Sequence, residues 1–211
     1  MKLATLILLL GTFGAAATPI LHSRPEAWVK LYMDGDSAPW TASAAQQVQT
    51  WQIVADLYAP FNIDVTTEYP GPRYNVAWVI IGGPLQGAIA GRAGVGSYGA
   101  GTLYGSANAG EVYADGLGND PVTVGIAIAH EAGHLIGLEH QTQGVMAPII
   151  QSTLTTWSKG INESGVYQDD VAFIGSQVGF ASEPPLPEPS AWWVGLAAVA
   201  TSRCFFRKAG V

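Results

Sequence analysis

Thiols and basic side chains are scarce in this sequence. The only cysteine of the 211 residues is Cys204, close to the C-terminus, so the chain before it can form neither a disulfide nor a thiolate metal site. Between positions 18 and 189 there are 5 lysines and arginines against 16 aspartates and glutamates, a net charge of −11. Such a surface repels nucleic acid and anionic membranes, so we expect no nucleic-acid partner.

The N-terminal end has the composition of a targeting segment. Residues 1–17 contain one lysine, an apolar run from Leu3 to Leu10, and small residues at Ala15 and Ala17. This is the layout of a secretory signal peptide, and a buried first helix is the alternative. We therefore predict that the protein is exported, with a mature chain that begins at Thr18.

The C-terminal end has three parts in a fixed order. A proline-rich linker occupies 182–189, an apolar stretch runs from Ala191 to Ala200, and a basic end follows at Arg203, Arg207 and Lys208. The apolar stretch is shorter than the roughly 20 residues that a helix needs to cross a bilayer. Length alone therefore predicts a tail that associates with the membrane and suits transient better than permanent anchoring.

This order, which starts with Pro187, Glu188 and Pro189, resembles the PEP-CTERM sorting signal of Gram-negative bacteria. The resemblance implies an exosortase-type processing enzyme as a partner and removal of the tail, residues 190–211. It also implies a protein that is secreted or held at the cell surface after transient contact with the inner membrane. An ordinary C-terminal membrane anchor is the alternative.

Apolar patterns between the two ends predict strands. Val29, Leu31 and Met33 alternate with polar residues, and 61–70 alternates in the same way. The continuous apolar run 75–83 is typical of a central strand. Two shorter strands are predicted near 93–98 and 111–114, inside the glycine-rich segment 82–118.

Three helices are predicted from their end signals and spacing. Ser43 and Gln46 form a capping-box pattern, and the helix that they start ends near Pro60. Asp120 followed by Pro121 indicates the start of a second, buried helix. A third, short helix is predicted within 168–180. Strand, helix, strand and strand in succession indicate a single α/β domain over 18–181.

Three of the four histidines lie within the segment HEAGHLIGLEH, residues 130–140. His130 and His134 are four apart, so they share one face of a helix and can reach the same ion. Glu131 lies beside the first ligand and is the candidate general base of an H-E-x-x-H motif. Gly137 can end the helix in a left-handed turn, which brings His140 toward the same ion as a third ligand.

The segment matches the elongated zinc motif of the metzincin metalloproteases at every defining position, and Val145–Pro148 resembles their Met-turn. Within that group the sequence is most similar to the matrixins. The resemblance implies one catalytic Zn²⁺ on the three histidines, Glu131 as the base, and Met146 as an apolar floor, followed by Pro148. It also implies a twisted, mostly parallel five-stranded sheet with an antiparallel edge strand and three helices.

Several positions depart from the matrixin pattern. Gln141 follows the third histidine, where matrixins often have serine. Pro148 stands where astacins and serralysins have a tyrosine, so no such oxyanion group is assigned. The absence of histidine from 23–129 excludes the usual second, structural zinc site, and the absence of cysteine before the site excludes a cysteine-based latency mechanism.

These patterns predict an exported zinc-dependent endopeptidase whose substrate is a protein or peptide. We expect the substrate backbone to pair with an edge strand in 90–99. The alternative is a zinc-stabilised surface or matrix binding protein without catalysis, and the intact Glu131 is the feature that argues against it. Glu163 is an alternative third ligand, and His22 is expected to be a solvated surface residue.

Calcium is a weaker cofactor hypothesis. Carboxylates cluster at Asp34 and Asp36 and at Asp115 and Asp120, and calcium prefers oxygen ligands. Their spacing matches no calcium-binding loop that we recognise. Turn and helix-cap roles are therefore the favoured interpretation of these residues.

Overall fold

A computed structural model of the chain describes residues 19–71, 75–93, 109–150 and 152–182. The predicted signal peptide at 1–17 and the predicted sorting tail at 190–211 lie outside the described residues. No helix within the described ranges is long and apolar enough to cross a membrane. The strands and helices follow in the order β1 (Val29–Asp34), α1 (Ala44–Tyr58), β2 (Ile63–Thr66), β3 (Val76–Ile81), β4 (Gly91–Arg92), β5 (Ala109–Val112), α2 (Pro121–Ile136), β6 (Lys159–Ile161), β7 (Tyr167–Asp169) and α3 (Asp170–Val178).

Five strands form a mostly parallel sheet in the order β2-β1-β3-β5-β4. Strand β1 pairs in parallel with β2 and β3, β5 pairs in parallel with β3, and the edge strand β4 runs antiparallel to β5. The expected α/β class, the antiparallel edge strand and the three helices are thereby confirmed. The continuous apolar run forms the central strand β3, in which Ala77, Val79 and Ile81 on one face are buried and Trp78 and Ile80 on the other are half-buried.

Helix α1 begins where the capping pattern placed it. The side chain of Ser43 accepts from the backbone N–H of Gln46, and the reciprocal contact closes the capping box. The buried side of α1 carries Trp51, Val54 and Tyr58, and it packs against α2 and β2. Full burial of one such side chain contributes about 1.5–3 kcal/mol, so this face docks the helix on the sheet.

Helix α2 forms the centre of the domain. The Asp120 side chain caps it by accepting from the backbone N–H of Thr123, and Pro121 occupies the first turn. Every residue from Val124 to Ile136 is buried, because β3 and β5 cover one side and α1 another. The helix ends at Gly137 with a φ of 115°, a left-handed conformation that glycine adopts without strain.

Four short strands differ from expectation. Strand β5 lies two residues earlier than predicted, and β4 at Gly91–Arg92 precedes the predicted segment 93–98, of which 94–98 lies outside the described residues. The β6–β7 hairpin was not predicted, since three-residue strands are too short to show a period. It lies directly before α3 in the chain.

The expectation of a solvated His22 was wrong. Its side chain is 26% exposed and bridges two carboxylates, with Nδ1 2.7 Å from Asp64 and Nε2 2.8 Å from Glu68. Asp64 is fully buried and also accepts from Lys30. Burial lowers the pKa of His22. The hydrogen bonds with Asp64 and Glu68 and the negative charges of these carboxylates outweigh burial, so the pKa is raised above 6.5.

Candidate metal centre

The end of helix α2 and the turn after it bring three imidazoles together. The Nε2 atoms of His130 and His134 are 3.0 Å apart, one helical turn separating the two residues. The chain reverses at Gly137, and Nε2 of His140 comes within 3.2 Å of Nε2 of His134. One ligand atom from each of the three histidines lies within 4.8 Å of the others, so the group can hold a metal ion.

Hydrogen bonds on the far side of each ring determine which nitrogen carries the proton. Nδ1 of His130 faces the carbonyl of Val145 at 2.8 Å, and Nδ1 of His134 faces the carbonyl of Leu138 at 2.8 Å. Carbonyl oxygens only accept, so both Nδ1 atoms must donate. Each Nε2 atom therefore presents a lone pair, and two lone pairs 3.0 Å apart repel each other unless a cation lies between them.

The distances between the three Nε2 atoms fit an ion with tetrahedral coordination. Bonds of 2.0–2.1 Å at a tetrahedral angle separate two ligand atoms by about 3.3 Å, close to the 3.0 and 3.2 Å in this protein. Burial, together with the neighbouring His134, lowers the pKa of His130 to about 4, and burial lowers the pKa of His134. Both rings are thereby kept in the neutral form that binds metals.

Glu131 lies inside the same cleft as the histidines. It is 4% exposed, and its Oε2 atom has no hydrogen-bond partner within the described ranges. Burial raises the pKa of Glu131 to about 8. A cation bound at the histidines would oppose that shift, because a nearby positive charge stabilises a carboxylate.

Strand β4 passes directly over Glu131. A methyl group added at Gly91 would lie 2.6 Å from Oε1 of Glu131 and 2.8 Å from the carbonyl oxygen of Glu111. Only glycine allows this approach without a shift of the strand or of the carboxylate. No sequence pattern singled out Gly91, because the contact joins residues that are forty positions apart.

Met146 packs against helix α2 at Gly133. It is fully buried, and a methyl group added at Gly133 would lie 2.6 Å from its sulfur. Gly133 directly precedes His134, so the methionine packs against the helix next to this histidine. Pro148 lies further along the same segment and lines the cleft.

A buried polar network supports the segment that carries His140. Gln168 accepts from the backbone N–H of Glu139 and donates to its carbonyl, at 3.1 and 3.0 Å. Gln141 donates to the carboxylate of Asp170 at 2.8 Å, and Gln168 donates to it at 2.9 Å. Both neighbours of His140 are thus fixed to the β6–β7 hairpin and α3. No sequence pattern singled out Gln168 or Asp170, and Gln141 stands out in the sequence only as a departure from the matrixin pattern.

The cleft has a volume of about 470 Å³ and lies between β4 and the segment 148–150. Its polar groups are the three histidines and Glu131, together with Thr123 and Arg92. Apolar side chains line the remainder, namely Ala88, Ile89, Ala90, Ala93, Leu117, Pro148, Ile149 and Ile150. Of the predicted substrate-pairing segment 90–99, residues 94–99 lie outside the described residues, and Gly91–Arg92 form the edge strand.

The acidic clusters have structural partners. Asp34 accepts from the backbone N–H groups of Asp36 and Ser37, Asp115 accepts from Thr41 and Asn119, and Asp120 caps α2. These are the turn and cap roles that the sequence favoured. The histidine triad is the one group of three or more metal-binding side chains found within the described ranges.

Comparison with known proteins adds no assignment to this geometry. No protein-family model matches the sequence, and no curated protein is significantly similar to it. The site therefore defines a class, namely an α/β domain with a three-histidine group able to hold a metal ion and a buried carboxylate in the same cleft.

Proposed function

We propose that this protein is a zinc-dependent endopeptidase of the metzincin type. The observation that supports it most is the convergence of the Nε2 atoms of three histidines beside a buried glutamate, in a cleft bordered by an antiparallel edge strand. Three neutral nitrogen ligands favour zinc among the common biological ions and leave a coordination position open for catalysis. The spacing of His130, Glu131, His134 and His140 supports the same proposal.

Each part of the cleft has a role in peptide hydrolysis. A zinc ion on the three histidines would supply Lewis-acid polarisation of a carbonyl and a lowered pKa for water. Glu131 would accept a proton from the attacking water and deliver it to the departing amine nitrogen. Strand β4 is the sheet edge nearest to Glu131, so an extended substrate chain can pair with it and present a peptide bond to the cleft.

Replacement of Glu131 by glutamine tests the catalytic part of the proposal. Glu131→Gln removes the proton acceptor while it retains shape, so cleavage of a mixed peptide library should fall at least about 10²–10⁴-fold. Zinc content should stay at about one ion per chain. Glu26→Gln, at an exposed glutamate of the N-terminal segment, is the matched control and should cleave at the parent rate.

The outcomes separate an enzyme from a binding protein. Cleavage by Glu131→Gln at the parent rate would exclude the proposed general base. A parent that binds zinc through His140 but hydrolyses nothing across the library would favour the zinc-stabilised binding protein. Retention of zinc by His140→Ala, with its loss in Glu163→Ala, would overturn the metzincin assignment.

We further propose that the protein is exported and that its tail is removed by an exosortase-type enzyme. The patterns at 1–17 and 187–211 support this proposal. Mass spectrometry of protein from its native host should find a species that begins near Thr18 and lacks Trp192 onward. An intact C-terminus in the membrane fraction would instead show an ordinary anchor.

A further inference from the structure

His140 differs from the other two histidines in what holds its ring. His130 and His134 are buried, and their Nδ1 atoms donate to backbone carbonyls. The side chain of His140 is 33% exposed, and its Nδ1 donates to the Oε2 of Glu163, 3.0 Å away. The least buried member of the triad is therefore the one oriented by an anionic side chain.

The backbone of Glu163 holds the same histidine. Its N–H donates to the carbonyl of His140 at 3.0 Å, and Gln141 and Asn162 form an isolated antiparallel bridge beside that contact. The turn of the β6–β7 hairpin and the segment that carries His140 are thus joined by main-chain pairing. This pairing sets the carboxylate against the ring, although the side chain of Glu163 is 54% exposed.

The position of Glu163 distinguishes a supporting role from direct ligation. Its carboxylate lies on the Nδ1 side of His140, whereas Nε2 of that ring faces His134 at 3.2 Å. The two nitrogens of an imidazole point in different directions. In this arrangement Glu163 contacts the ligand and does not join the group of ligand atoms, which consists of the three histidines.

Given the metal centre of the proposed function, on which this inference rests, we propose that Glu163 is a positioning residue for that centre. A carboxylate that accepts from Nδ1 fixes the tautomer and the orientation of the ring and makes Nε2 a stronger electron donor. Its negative charge also offsets part of the charge that a divalent ion brings to three neutral ligands. Both effects strengthen metal binding without contact between Glu163 and the ion.

Metal affinity measured by chelator competition tests this role. Glu163→Ala should weaken zinc binding by about 10–100-fold, the range typical of partners that support a ligating histidine. Glu163→Gln retains an oxygen acceptor and should recover part of the loss. Glu26→Gln removes the same charge elsewhere and should bind like the parent. Cobalt(II) loaded in place of zinc should show an altered visible spectrum in Glu163→Ala, since the geometry at His140 changes.

Two further measurements keep the result interpretable. The metal-free Glu163→Ala protein should melt within about 2 °C of the metal-free parent, because an exposed side chain contributes little to folding. His140→Ala should lose more affinity than Glu163→Ala. Parent-like affinity and cobalt spectrum in Glu163→Ala, with loss in His140→Ala, would overturn the positioning role and leave the metal centre standing. A parent that binds no zinc would overturn both.

Discussion

Asp169 and Asp170 are adjacent and chemically identical, yet the structure predicts opposite consequences of the same substitution. Asp170 is fully buried and accepts from the side chains of Gln141 and Gln168 and from the backbone N–H of Ser158. Asp169 is 26% exposed, caps α3 through the N–H of Ala172, and pairs with Lys159 at the surface. We therefore compare Asp170→Asn with Asp169→Asn.

The magnitude follows from the hydrogen bonds that each variant loses. Both carboxylate oxygens of Asp170 accept hydrogen bonds, but asparagine has an NH₂ group in place of one of these oxygens. The donor that faces the NH₂ group loses its bond to a charged acceptor, and the buried NH₂ group has no acceptor of its own. Each of these effects costs about 1–3 kcal/mol, so we expect a loss of about 3 kcal/mol in the free energy of unfolding. Asparagine at 169 remains a good N-cap, and loss of the exposed ion pair costs no more than about 1 kcal/mol.

Urea unfolding of the metal-free proteins, followed by tryptophan fluorescence, measures this difference. For Asp170→Asn, the urea concentration at the unfolding midpoint should be well below that for Asp169→Asn. The slope of the unfolding free energy against urea concentration should be similar in the parent and in both variants. Zinc affinity should also fall in Asp170→Asn, because Asp170 holds Gln141, the residue after His140. Equal midpoints for the two variants would refute the idea that a buried acceptor at Asp170 supports the metal-binding segment.

Three other changes test separate contacts. Gly91→Ala places a methyl 2.6 Å from the Glu131 carboxylate, so peptide hydrolysis should fall about 10²-fold while zinc content stays unchanged; a parent-like rate would contradict the close approach of β4. Met146→Ala should lower the free energy of unfolding by about 2–5 kcal/mol, and Met146→Leu by less than about 1.5 kcal/mol, in urea titrations. The raised folded-state pKa of His22 means that its stabilisation is complete below pH 6.5 and is lost as pH rises through that pKa. The gap in unfolding free energy between the parent and His22→Gln should therefore narrow from pH 5.5 to pH 9, and a constant gap would argue against the bridge.

Helix α2 could be predicted at both ends because its signals are local. Asp120, Pro121 and Gly137 act through the backbone within one turn, so their residue types alone indicate where the helix starts and stops. The same holds for the capping box at Ser43. The juxtaposition of His130 and His134 follows directly, since helical geometry fixes their relative positions.

The contacts that surround the ligands could not be predicted, because they join distant positions. Gly91 lies against Glu131, forty positions later in the sequence, and Asp170 accepts a hydrogen bond from Gln141, 29 positions earlier. No local pattern separates Asp170 from Asp169, or Gly91 from the other glycines of its segment. Strands β4, β6 and β7 have two or three residues each, and periodicity is not measurable over such lengths.

The three histidines of the candidate metal centre therefore depend on the fold in two different ways. His130 and His134 belong to the most buried helix, so displacing them requires disruption of the core. His140 stands beyond the helix end and is held by Glu163, by Gln168 through Glu139, and by Asp170 through Gln141. All three supports come from the hairpin and α3, elements that contribute little to the central core. A metal ion that binds the triad links these elements to α2, so its binding energy stabilises the part of the fold that is otherwise held by polar contacts.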